Sequence, residues 1–235
     1  MIVVIFAVLP AILLWAYTCK HDAQPEPMSQ MLKAFLYGAL ICIPVSFVEL
    51  GIDFLLFGQM KAPATLMGST LEAFLVAALP EEAFKLLALW LILRKNPFFD
   101  EHYDGIVYAV CVGLGFAAVE NIGYLLLNAD AWLSVAITRA LLAVPGHYAF
   151  AVFMGYYYSL YHFVEKTDKT KWNIILIPFL AHGCYDAFAL SGTVNPVLGA
   201  IGFIVLVFFC IKMHKNAREK MMIQIERDRR ESLFK

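Results

Sequence analysis

The chain has 235 residues, 61% hydrophobic and 16% charged, with a formal net charge of −1 and a mean hydropathy of +0.71. A soluble domain carries about 45–50% apolar and about 25% charged residues, so the composition excludes an ordinary water-soluble enzyme. The useful unit of length is the membrane span of about 20 residues, and no nucleic-acid partner is expected.

Apolar runs predict seven transmembrane helices, at about 1–19, 31–57, 69–93, 105–127, 131–160, 172–190 and 194–213. Helix is the expected element throughout, because backbone groups in lipid must bond within their own segment. The first run has no basic stretch ahead of it, which reads as an uncleaved span rather than a signal peptide. Polar, turn-like loops separate the spans, and no internal repeat is visible. The expected fold is therefore all-α: a polytopic bundle of about seven helices forming one domain over 1–213, with a charged cytoplasmic C-terminal helix over 214–235. That tail reads as solvated, with a basic amphipathic helix on anionic lipid as the alternative.

Lysine and arginine set orientation, since Asp and Glu contribute little to the rule. Fifteen of them fall on one side when alternate loops are assigned to opposite faces, against Lys61 alone on the other. The N-terminus is expected outside and the C-terminus in the cytoplasm. The five cysteines stand singly in apolar runs with no CxxC pair, as buried structural thiols do.

Ionisable groups inside the spans carry the information. Glu81 and Glu82 are adjacent in a span, where each acid costs about 2.5–3.5 kcal/mol on the insertion scale. Glu120, His147, His182 and Asp186 add to this. At 1.5 Å per residue from the charged loop of each span, Glu81, Glu120, His147, His182 and Asp186 sit at heights of roughly 17–24 Å. Four helices thus bring acids and imidazoles to one level just past the midplane, which predicts a single site.

Local spacing supports it. Lys85 is i,i+4 from Glu81 and i,i+3 from Glu82, so its ammonium can neutralise either carboxylate. Asp186 is i,i+4 from His182 and can fix the ring's tautomer. Pro80 frees the carbonyl of Val76 and invites a kink, and Pro145-Gly146 does the same beside His147. Gly113, Gly115 and Gly183 allow close helix approach. Arg139 is expected to pair with an acid, and only one of Glu120 and Asn121 need face the site. Glu49 and Asp53 read as hydrated groups near the outer end of a span. His21, His102, His162 and His214 fall in loops or the tail and read as solvated.

Such a set suits activation of a water molecule by a glutamate, with histidine stabilising an oxyanion. A metal version would use Glu120, His147 and His182 as three ligands with an open fourth position. No HExxH run is present. A proton- or ion-coupled transporter using the cluster as a relay is the rival reading, and a membrane scaffold with a polar core is a weaker one.

The motifs Glu81-Glu82-x-x-Lys85, Phe116-x-x-x-Glu120-Asn121, Arg139 with Pro145-Gly146-His147, and His182-Gly183-x-Tyr185-Asp186 resemble those of the PrsW family of intramembrane proteases, within the broader CAAX-prenyl-protease group. The resemblance covers about residues 30–210 and implies a peptidase of the bacterial cytoplasmic membrane. It implies first-site cleavage of a single-pass anti-sigma factor, on its extracytoplasmic side. By carry-over Glu81 is the water-activating base and Glu82 shares its proton. Glu120 and His147 position the water, and His182, steered by Asp186, stabilises the oxyanion. Lys85, Asn121 and Arg139 are supporting residues. A metal-independent mechanism is expected, with zinc the possible cofactor, because adjacent carboxylates suffice for base chemistry.

Overall fold

The computed structural model describes residues 2–59 and 64–233. Lys61, the lone basic residue expected on the outer side, lies outside the described residues. Within them the chain forms seven helical rods and no strand: α1 (Ile2–Lys20), α2 (Met28–Phe57), α3, α4 (Asp104–Leu127), α5 (Ala129–Val164), α6 (Asp168–Leu190) and α7 (Pro196–Ser232). The third rod, α3, runs through Leu66–Leu71, a π-helical stretch Glu72–Ala78, and Leu79–Leu93. All except α3 are long and apolar enough to cross a membrane. The expected all-α polytopic bundle is what the chain forms.

The burial pattern is that of a membrane protein. Large apolar side chains point outward, including Leu55 (82% exposed), Phe47 and Phe208. An exposed apolar surface of this extent needs lipid around it. The polar groups Glu81, Glu82, Lys85, His147 and His182 are buried instead. Helix α4 is the axis, buried almost continuously from Asp104 to Ala118. It packs against α1, α2 and α5, while α6 lies against α5 and the π-helical part of α3.

Two glycines let α2 and α4 approach closely. A Cβ on Gly115 would lie 2.0 Å from the carbonyl oxygen of Phe35, and one on Gly38 would lie 2.0 Å from that of Val112. Only hydrogen fits at either point, so α2 and α4 meet backbone to backbone.

The tail departs from expectation. Helix α7 does not change at 213–214; it continues to Ser232, a length of about 55 Å against the roughly 30 Å of hydrocarbon. Its final turns lie on the bundle rather than free in solvent. Met221 is buried and within 3.0 Å of the Tyr148 hydroxyl, and Gln224 donates to the Tyr156 carbonyl. Asp228 accepts the backbone N–H groups of His102 and Tyr103. Charged residues fill the other faces, so composition suggested a solvated tail while the Met221–Gln224–Asp228 stripe docks it. His102, read as solvated, is 5% exposed and bonds Glu231.

Candidate active site

The two helices that carry the Glu81–Glu82 pair and His147 switch to π geometry just before a proline. In α3 the Leu79 N–H reaches back to the Phe74 carbonyl, and Pro80 follows. In α5 the Val144 N–H reaches the Arg139 carbonyl, and Pro145 follows. Proline has no N–H and its ring collides with the preceding turn; the wider i→i+5 turn accommodates both defects without ending the helix. The kinks expected from Pro80 and Pro145 take this form.

Glu81, Glu82 and Lys85 lie on the first turns after the α3 break and are 4%, 0% and 3% exposed. The Lys85 ammonium donates to Glu81 Oε2 at 2.9 Å and to Glu82 Oε1 at 2.8 Å. It also lies 3.1 Å from Nδ1 of His147 on α5 and 4.4 Å from the Phe116 ring centre. Glu82 Oε1 is further bonded to Nδ1 of His182 on α6 at 2.9 Å. Glu82 Oε2 is buried and unpartnered, an unfilled acceptor at the centre of the cluster.

Each imidazole is gripped from behind by a carboxylate. Glu120 Oε2 is 2.8 Å from Nε2 of His147, and Asp186 Oδ2 is 3.2 Å from Nε2 of His182. A carboxylate accepts, so His147 carries its proton on Nε2 and offers the Nδ1 electron pair to the Lys85 side. Both nitrogens of His182 face carboxylates, and its ring stacks on Phe150 at 4.7 Å.

The predicted residues therefore do come together: Glu81, Glu82, Glu120, His147, His182 and Asp186 form one connected network with Lys85. Arg139 pairs with Glu120 at 2.6 Å, as expected, and lies over the Tyr124 ring. Asn121 is also engaged, accepting from Arg139 and donating to the Ala7 carbonyl. Glu120 is the member of the pair that bonds His147, while Asn121 ties Arg139 to α1. Glu49 was read as hydrated, yet it lies within electrostatic reach of Glu81, Glu120, Lys85 and His182. A glutamate in a span without a basic partner was the signal for it.

The donor set for a metal also changes. Glu81, His147 and His182 each offer a ligand atom, all within 4.8 Å of one another. Glu120, expected as a ligand, holds the far nitrogen of His147 and is outside that group. One carboxylate and two imidazoles, the rings backed by Glu120 and Asp186, fit a catalytic zinc centre and its supporting shell. In this arrangement the Lys85 ammonium stands among the same donors, a cation in place of a cation. Loading a metal requires that ammonium to withdraw.

A bundle of membrane-spanning helices closing around a desolvated carboxylate–imidazole network defines an enzyme of the bilayer interior. Residues 26–213 match a family described as "PrsW family intramembrane metalloprotease". Protease PrsW of Geobacillus kaustophilus is 39% identical over 78% of this chain and 78% of its own length. Protease PrsW of Oceanobacillus iheyensis is 34% identical over 92% and 96%, and that of Bacillus subtilis 33% over 93% and 96%. No solved structure matches. The chain belongs to the PrsW family of intramembrane proteases and is a multi-pass bacterial membrane protein. The transporter and scaffold readings lapse with that assignment.

Proposed function

We propose that this protease cleaves a peptide bond of a single-pass membrane protein in the outer half of the bacterial cytoplasmic membrane, making the first cut in an anti-sigma factor. The observation that carries the reading is the meeting of Glu81, His147 and His182 donor atoms, from three helices, within 4.8 Å. The side of the membrane rests on the lysine and arginine distribution, which sets the N-terminus outside and the C-terminus inside. Heights of roughly 17–24 Å above the cytoplasmic loops then put the chemistry in the outer half.

In this reading Glu81 takes a proton from the attacking water as its oxygen bonds to the scissile carbonyl carbon. Glu82 shares that proton, its free Oε2 being the available acceptor. His182, backed by Asp186, donates a hydrogen bond to the oxyanion. The proton then passes to the amine nitrogen as the C–N bond breaks. Glu120 and Arg139 orient His147 rather than touching the water. Lys85 holds the two carboxylates in register. A zinc ion held by Glu81, His147 and His182 would polarise the carbonyl and lower the pKa of its bound water. A metal-free version is favoured by one observation, the Lys85 ammonium already bonded to Glu81 and His147.

The test is cleavage of a single-pass substrate in liposomes by wild type, Glu81→Gln and His182→Ala. Both variants should insert and fail to cleave; normal cleavage by both overturns the proposal.

A further inference from the structure

At the other end of α4 from Glu120, roughly 24 Å along the axis, the loops gather a second set of acids. Asp22 and Glu26 come from the α1–α2 loop, Asp100 and Glu101 from the α3–α4 loop, and Asp104 from the first turn of α4. Ligand oxygens of Asp22, Glu101 and Asp104 lie within 4.8 Å of one another, and so do those of Glu26, Asp100 and Asp104. Asp104 belongs to both sets.

Acids crowd on many protein surfaces; Asp104 sets this group apart. Its side chain is 0% exposed. Oδ2 accepts the N–H groups of Asp100 at 3.0 Å and Glu101 at 2.7 Å. Oδ1 is buried with no hydrogen-bond partner. The side chain meets the carboxylate of Glu26, itself only 6% exposed, whose other contact is the Tyr108 hydroxyl. The charges acting most strongly on Asp22, Glu26 and Glu101 are other carboxylates. Burial accordingly holds the Glu26 carboxyl up at about 7. Backbone N–H groups and the Tyr108 hydroxyl frame the cluster, and burial beside the other acids raises the Asp104 carboxyl as well.

We propose that this cluster binds a hard divalent cation of the magnesium or calcium class, with the free Oδ1 of Asp104 as central ligand and Glu26 beside it. Donors that are all carboxylate oxygens select such ions over zinc, whereas the Glu81 cluster offers imidazoles. The ion ties the α1–α2 loop to the α3–α4 loop. Asp228 docks the last turns of α7 on the latter, so occupancy also steadies the tail.

The experiment uses the full chain in detergent, stripped with chelator and carrying Glu81→Gln to silence the first cluster. Mn2+ is the probe, followed by its paramagnetic resonance, with Mg2+ and Ca2+ as competitors. About one Mn2+ per chain is expected, displaced by either competitor. Adding Asp104→Asn weakens binding roughly tenfold or more. Mg2+ raises the melting temperature of the parent and not of Asp104→Asn. In chelator Asp104→Asn melts no lower than the parent, because the amide oxygen still accepts the Asp100 and Glu101 N–H groups and the crowding of acids is relieved. Absence of bound Mn2+, or binding unchanged by Asp104→Asn, overturns the proposal. Should Asp104→Asn melt lower in chelator, half-buried Glu101→Gln takes its place: weakened binding supports the site and unchanged binding overturns it.

Discussion

Glu120 holds His147 by the ring nitrogen that faces away from the carboxylate pair, with Oε2 2.8 Å from Nε2. The opposite nitrogen is thereby fixed as an electron-pair donor toward Lys85 and Glu81. On the proposed mechanism Glu120 acts through His147. Replacing it by glutamine removes the charge that Arg139 and the ring share. Cleavage should fall about 10–100-fold, the usual cost of losing a partner behind a catalytic imidazole. The rate should drop with little change in KM, and the nitrogen NMR signals of His147 should report a changed tautomer population.

Lys85 is the counter-ion for two buried acids. Lys85→Met leaves Glu81 and Glu82 buried without their ammonium, a loss of about 3–5 kcal/mol. Denaturation in mixed micelles measures it. The double variant Glu82→Gln, Lys85→Met should recover much of the loss, since it removes one of the stranded charges.

Zinc binding separates the two forms of the mechanism. The zinc form requires chelator-stripped wild type, given zinc with excess Mg2+ present to occupy hard-cation sites, to retain about one ion after desalting. Glu81→Gln and His147→Ala should each abolish retention, and Glu120→Gln should only weaken it. Elemental analysis gives the count. A wild type that retains no zinc yet cleaves would establish the metal-free route through Lys85 and the glutamates.

Helix approach gives a contrast within a single helix. Gly115→Ala puts a methyl group 2.0 Å from the Phe35 carbonyl oxygen, forcing α2 off α4 at a cost of roughly 1–3 kcal/mol. Gly123→Ala, in the same helix with nothing within 4 Å, should be neutral or gain about 0.5–1 kcal/mol. Thermal melting of the two variants in one detergent checks both.

Much of this protein was legible without coordinates. The length of the apolar runs specified helices, because lipid leaves the backbone no other way to satisfy its hydrogen bonds. The cost of charge in a span singled out Glu81, Glu82, Glu120, His147 and His182, and i,i+4 spacing paired Lys85 with Glu81 and Asp186 with His182. These are local rules, and local sequence obeys them.

What lay between helices was not legible. Height along a span says nothing about rotation around it, so Glu120 read as a ligand although it faces the back of His147, and Glu49 read as hydrated although it lies within electrostatic reach of the cluster. The tail read as solvated because three docking residues are invisible in a charged composition. Sequence by itself determined which groups enter the membrane and at what level. Tertiary structure decided which of them touch, because the azimuth of each helix follows from close backbone contacts, such as Gly115 on Phe35, and from the π turns before Pro80 and Pro145.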